Sequence, residues 1–282
     1  MKLIFLTVLT MTAFAANSIL TRAAVDGGHI DPSGFAIIRV LAGAVVLGML
    51  MTLRGGALPL LQPKRMWGAL SLTAYMIGFS LAYLTLDAGL GALILFGVTQ
   101  ITMFAYGAMR ATAPTRRQLW GAGIAFIGLL IVLWPGSGSQ TDITGALLMV
   151  VAGVGWAIYS LLGRGGKDPL AETAASFIMC LPLLLILLAG TGLTFGVTGM
   201  MLAIVCGGLT SGLGYALWYS ILPHFDSSTA AIVQLSVPII AIVAGAVLLG
   251  EPLTVTVLLS AVLVVGGIGW AVSAQSVRAG HK

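Results

Sequence analysis

The sequence predicts an all-α integral membrane protein: ten transmembrane helices in two inverted five-helix repeats. Three observations predict it. Apolar residues make up 59% of the 282-residue chain and Asp, Glu, Lys and Arg only 7%, against roughly 25% charged in an average soluble domain. Ten stretches are apolar over about the 20 residues that a spanning helix needs. The chain also matches itself at an offset of roughly 140 residues, an internal repeat of the kind secondary transporters carry. Phe14-Ala15-Ala16-Asn17 falls on Trp156-Ala157-Ile158-Tyr159, and Asp31-Pro32 falls on Asp168-Pro169.

The expected spans cover 2–21, 34–53, 67–86, 90–109, 118–135, 144–163, 171–190, 198–221, 228–249 and 254–274. Five spans per half is an odd number, so the second copy must sit upside down relative to the first. The halves are 1–137 and 142–282, joined by the polar run Gly136-Ser137-Gly138-Ser139-Gln140-Thr141-Asp142. Neither half is expected to act as an independent domain. Lys2 and Ala13-Phe14-Ala15 also fit a signal peptide. Cleavage there would leave four spans against five and break the repeat.

The net charge of +5 is a topology signal. With the N-terminus on side one, that side collects Lys2, Arg54, Lys64, Arg65, Arg110, Arg116, Arg117, Arg164, Lys167, Arg278 and Lys282. Side two keeps Arg22, and Arg39 falls inside the second span. Cytoplasmic joints carry the excess of Lys and Arg, so both termini are expected in the cytoplasm. A nucleic-acid partner is not expected. Cys180 and Cys206 lie in spans, and His29, His224 and His281 lie in joints or the tail. Without a Cys/His cluster, neither a metal nor another cofactor is expected. Gly121 with Ala125, Gly208 with Gly212, and Gly266-Gly267-Ile268-Gly269 invite close helix contact. The last of these contacts lies within a monomer or between monomers; the expected state is a monomer or weak homo-oligomer.

Polar side chains inside hydrocarbon are costly, so each needs a reason. Asn17, Gln100 and Gln234 are such residues, and Tyr159 matches Asn17 across the repeat. Tyr75, Phe79 and Tyr83 recur every four residues and share one face of the third span. Ser211, Tyr215 and Tyr219 do the same on the eighth, with Trp218 adjacent, and Trp156 joins Tyr159 on the sixth. The substrate-binding candidates are therefore Asn17, Tyr75, Phe79, Gln100, Trp156, Tyr159, Tyr215 and Gln234. For the Asn and Gln residues, hydrogen bonds that serve packing are the competing role. Tyr83 and Tyr219 sit near span ends and also suit an interfacial aromatic belt. Arg39 has three readings: snorkelling to the interface, bonding to carbonyls of a neighbouring helix end, or anchoring a substrate carboxylate. Pro238 interrupts the ninth span where the first repeat has Gln100, marking a hinge or a binding site. All eight acidic residues lie in joints or at span ends. No carboxylate or His inside a span offers a proton relay, no phosphate-binding loop is present, and no catalytic cluster supports an enzyme.

These motifs resemble the EamA-type members of the drug/metabolite transporter superfamily. The shared pattern is the aromatic-small-polar segment ending the first helix of each repeat, the Asp-Pro before the second helix, and Pro238 with Gly250-Glu251-Pro252-Leu253-Thr254 in the second repeat. The first repeat departs from it, with Gln100 in place of the Pro and Ala111-Thr112-Ala113-Pro114-Thr115 in place of the Gly-Glu ending. Within the superfamily the chain looks most like the bacterial YddG-type exporters of aromatic amino acids. The resemblance implies a bacterial inner-membrane (plasma-membrane) exporter. It also implies a cavity walled by helices one, three, four, six, eight and nine, with five and ten at the periphery. The function expected is alternating-access export of small amphipathic metabolites such as aromatic or other apolar amino acids. Other metabolites or drugs are the alternative substrates, and an intramembrane lipid-handling enzyme is the alternative class.

Overall fold

A computed structural model describes residues 1–60, 62–110, 115–133, 142–163, 168–188, 192–225 and 233–279. The linker expected at 136–142 lies outside the described residues except for Asp142. In chain order the helices are α1 (Lys2–Val25), α2 (Pro32–Arg54), α3 (Pro63–Ala82), α4 (Ala88–Arg110), α5 (Arg116–Leu133), α6 (Ile143–Gly163) and α7 (Pro169–Leu187). Val197–Val205, a π-helical stretch Cys206–Leu213 and Gly214–Ile221 follow one another without leaving helical dihedrals and are together called α8. Then come α9 (Ser236–Leu249) and α10 (Val255–Ala279). Among the described residues a single antiparallel bridge, Ile30 to Phe195, stands outside this helical pattern.

Length and composition alone qualify six helices to cross a membrane: α1, α2, α4, α6, α7 and α8. The apolar runs Ser236–Leu249 and Val255–Ala271 are shorter. α3 and α5 open on basic residues, Lys64-Arg65 and Arg116-Arg117. A turn at Leu235 separates the helical residues 233–234 from α9, so Pro238 sits in the first turn of Ser236–Leu249. A proline is tolerated there because the first turn has no intrahelical acceptor for its missing N–H.

Local sequence explains the helix ends. Asp31 caps α2 by accepting from the Gly34 N–H at 2.9 Å, and Asp168 caps α7 from the Ala171 N–H at 3.2 Å. Each is followed by Pro at the first helical position, whose fixed φ suits that place. Asp142 caps α6 through the Gly145 N–H at 2.7 Å. Gly55 and Gly250 end α2 and α9 with φ of 69°, the left-handed C-cap that glycine adopts freely. α4 borrows its cap: the Glu251 carboxylate accepts from the N–H groups of Ala88 at 2.6 Å and Gly89 at 3.3 Å.

The caps and ion pairs sort to two ends of the bundle. At one end Arg22 meets Asp26 at 3.1 Å and Asp87 at 3.6 Å, and Thr85 donates to Asp142 at 3.0 Å. At the other, Arg54 pairs with Asp168 at 3.1 Å and Arg65 with Glu172 at 2.5 Å. Sequential helices thus run antiparallel. The main packing pairs are α5 with α10, α3 and α4 with α6, α2 with α7 and α8, α3 with α7, α4 with α9, and α1 with α8 and α9. Large apolar side chains such as Phe5, Trp67, Trp120 and Val247 are exposed around the outside, as a lipid-facing surface requires. The Gly121 face of α5 packs on Gly267 of α10 so closely that a Cβ at Gly121 would lie 2.5 Å from the Gly267 carbonyl oxygen. This glycine-rich contact is therefore made within the monomer.

Candidate functional site

Where α1, α3, α4, α6 and α8 converge, the seam is filled with aromatic rings. Trp156 of α6 is the centre. Its ring centroid lies 5.2 Å from Tyr75, 5.0 Å from Tyr215, 5.6 Å from Tyr159 and 6.2 Å from Phe14. Phe14 also meets Tyr215 at 5.6 Å and Trp218 at 6.0 Å, and Tyr75 meets Phe79 at 5.2 Å. All are tilted or edge-on arrangements, which ring quadrupoles favour. The four-residue spacing on α3 puts Tyr75 and Phe79 on the face towards α6. Phe14, Asn17, Ser18, Tyr75, Phe79, Leu95, Phe96, Trp156 and Tyr215 enclose a cavity of about 10 Å³. That is room for about one water, whereas small-molecule sites run to roughly 300–1,000 Å³.

Arg39 of α2 is fully buried behind this wall. Its Nη2 donates to the Tyr75 hydroxyl at 3.0 Å and its Nε donates to Ser211 Oγ at 3.1 Å. Its guanidinium carbon stands 4.8 Å from the centre of the Phe79 ring and 5.4 Å from that of Tyr75, within cation–π range. Of the three readings, snorkelling and carbonyl bonding are thus replaced by a side-chain network. Ser211 passes the network on by donating to Asn17 Oδ1 at 3.0 Å, an oxygen that also accepts from Thr210 Oγ1 at 2.7 Å and Cys206 Sγ at 3.3 Å. The π-helical stretch carries all three donors. Its wider turn places positions 206, 210 and 211 around one acceptor, a feature that π-helical insertions often bring to functional sites.

Five of the candidates, Asn17, Tyr75, Phe79, Trp156 and Tyr215, line the central cavity. Tyr159 faces a second small cavity nearer the Arg65–Glu172 end, with Gly68, Ser176 and Tyr219. The hydroxyls of Tyr159, Tyr219 and Thr173 hydrogen-bond one another there. Gln100 and Gln234 are buried but line neither cavity. Tyr83 is buried with its hydroxyl donating to the Ala88 carbonyl at 3.4 Å, so it does not belong to an interfacial belt. Phe14, Ser18, Leu95 and Phe96 were missed as wall residues. Phe14 carries a signal, its place in the repeated aromatic segment; Leu95 and Phe96 look like any apolar run.

Among the described residues four buried nitrogen donors have no hydrogen-bond acceptor: Arg39 Nη1, Arg65 Nε, Gln100 Nε2 and Trp156 Nε1. Outside the spans, burial pushes the Glu251 carboxyl above its usual range, opposed by the Ala88 and Gly89 N–H groups. Burial also raises Asp87, opposed by Arg22. Asp142 is held low, chiefly by the Gly145 N–H. Among the described residues no group of His, Cys, Asp and Glu is arranged to hold a metal ion.

Residues 143–273 match the model of the EamA-like transporter family. An uncharacterised protein of Pseudomonas aeruginosa is 43% identical over all of this chain and 98% of its own length. The chain belongs to the EamA family. A probable amino-acid metabolite efflux pump of Salmonella typhimurium is 27% identical over 65% of this chain and 67% of its own. A solved crystal structure has the same fold, with a TM-score of 0.64, 19% identity, and coverage of 94% of this chain and 96% of that one. An EamA protein is a multi-pass membrane transporter and not an enzyme.

Proposed function

We propose that the protein is a secondary transporter of the bacterial inner membrane. It exports small amphipathic metabolites with an aromatic or other apolar body, aromatic and other apolar amino acids among them. The observation that carries the reading is the ring-lined cavity, where helices of both halves meet. Tyr75, Phe79, Trp156 and Tyr215 hold the apolar body, and Asn17, Gln100, Tyr159 and Gln234 supply polar contacts as the site opens. Support for two inverted five-helix repeats of ten spans comes from the packing pairs. Exchanging α1–α5 for α6–α10 turns α3 on α6 into α8 on α1, α4 on α6 into α9 on α1, and α2 on α8 into α7 on α3. The pairs α5–α10, α2–α7 and α4–α9 map onto themselves. A pseudo-two-fold axis in the membrane plane produces that pattern. The printed name of the Salmonella relative, an efflux pump for amino-acid metabolites, agrees in direction and substrate class.

The basic joints put both termini in the cytoplasm. Rocking between inward- and outward-open forms, with α9 flexing near Pro238, gives alternating access. Among the described residues no carboxylate or His lines the central cavity, so flux follows the substrate's own gradient and does not answer to an imposed pH difference. The working unit is a monomer or weak homo-oligomer.

Proteoliposomes loaded with labelled phenylalanine, leucine or an apolar drug test this. Saturable efflux above that of protein-free vesicles is expected for at least one. Rates equal to those of protein-free vesicles for all of them overturn the reading. Cysteines at Ser139 and Ser276, in a background without Cys180 and Cys206, should label from opposite sides of the membrane; labelling from the same side rules out the inverted repeat.

A further inference from the structure

We propose that the central site is built for the carboxylate end of its substrate, and prefers an apolar or aromatic monocarboxylate without an amine over the matching zwitterion. The proposal rests on the transport reading above and narrows its substrate class. The first ground is charge. Arg39 is fully buried, and among the described residues no carboxylate pairs with it. A buried cation without a counter-ion is costly in a membrane protein, and a bound anion removes that cost. One guanidinium balances one negative charge, which suits a carboxylate; a phosphate dianion calls for further cations.

The second ground is the balance of donors and acceptors. Arg39 Nη1 and Trp156 Nε1 are buried donors without acceptors, and both side chains flank Tyr75, one through its hydroxyl and one through its ring. A carboxylate is acceptor-only and accepts from both. An ammonium is donor-only and needs the opposite. The amide oxygen best placed to serve it, Asn17 Oδ1, already takes three donors. Tyr75 and Phe79 stand between the cavity and the guanidinium, so a change of either rotamer opens the cavity onto Arg39. The rings then cover the apolar body.

The test uses the purified full-length protein in lipid nanodiscs at neutral pH, with binding read by tryptophan fluorescence. The probes are 3-phenylpropionate, phenylalanine and phenethylamine. The same ring then carries a carboxylate, both charges or an amine. Phenylpropionate is expected to bind at least about tenfold more tightly than phenylalanine, because the latter buries an unpaired ammonium. Phenethylamine is expected not to bind. In Arg39→Gln the phenylpropionate affinity falls about thirtyfold or more, the cost of removing one partner of a buried charged pair. Should Arg39→Gln fail to give monodisperse protein, the order of the three probes on the unaltered chain decides. Phenylalanine or phenethylamine binding as tightly as phenylpropionate overturns the proposal. So does unchanged phenylpropionate binding in a folded Arg39→Gln. Binding of none of the three, with liposome flux of some other compound intact, overturns it while sparing the transport reading; absence of all flux ends both.

Discussion

The seam between α5 and α10 joins its helices by backbone contact, whereas the seam around Trp156 adds a cluster of rings. At the first, Gly121 and Gly267 bring backbones into contact, and the gap left between the helices is too small for any side chain. At the second, Phe14, Tyr75, Phe79, Trp156 and Tyr215 meet through rings, beside a backbone contact of α6 with α3 where a Cβ at Gly155 would lie 2.7 Å from the Ser71 carbonyl oxygen. Backbone contact has one solution and is stiff. Ring contact has several rotamer solutions of similar packing and leaves unpaired donors behind it. Peripheral helices that only need to stay together take the first device; on the transport reading proposed above, ring contact suits helices that part around a cargo.

The sharpest way to break this comparison is at the glycine seam. Gly121→Leu should cost up to about 3 kcal/mol through overpacking, seen as a lowered unfolding temperature and loss of monodisperse protein. Gly123→Leu, where a Cβ meets nothing within 4 Å, should change neither. Equal effects at both positions would remove the distinction between the two faces of α5.

At the ring seam the effect should fall on transport instead. Trp156→Phe keeps a ring and loses the unpartnered indole N–H. Substrate flux in proteoliposomes should drop about tenfold, the loss of one good hydrogen bond to a charged group, with little change in unfolding temperature. A drop in stability with flux per folded molecule unchanged would make Trp156 a packing residue.

Smaller effects belong to the ends of the bundle. Glu251→Ala removes the cap of α4 and should cost about 1 kcal/mol. Because the Glu251 carboxyl is raised by burial, its contribution to stability is fullest below the usual carboxylate range. It declines as pH climbs through the raised value. Glu251→Gln should flatten that part of a thermal-unfolding profile against pH. Asp142, held low, acts in reverse: its contribution is present above the usual range and is lost as pH falls. The smallest effect is expected for Arg54→Ala. The Arg54–Asp168 pair is 57% and 35% exposed, so its loss should stay under about 1 kcal/mol.

Much of the architecture is legible in the sequence because membrane helices obey length and hydropathy rules. Asp31-Pro32 and Asp168-Pro169 stand at their helix starts, and the two Asp side chains cap α2 and α7. The aromatic candidates were legible through their spacing of four on α3 and α8 and through the repeat that pairs Asn17 with Tyr159. Other features were not. The π-helical stretch 206–213 has no distinct sequence pattern, so the convergence of Cys206, Thr210 and Ser211 on Asn17 could not be read in advance. That Arg39 falls inside the second helix was legible, but its partners were not, since they come from α3 and α8 and depend on how three helices cross. Gln100 and Gln234 are each buried, yet neither lines the central cavity as it stands in this structure.

The central claim is that substrate occupies the ring-lined cavity. Phe96 lines it from α4 and contacts no polar partner in the network, so Phe96→Cys in a background lacking Cys180 and Cys206 gives a direct probe. Its labelling by a small membrane-permeant maleimide is measured in proteoliposomes with and without a saturating transported compound. Slow labelling that the compound suppresses severalfold is the predicted result. Labelling at the same rate in both conditions, in a variant that still transports, would contradict the account.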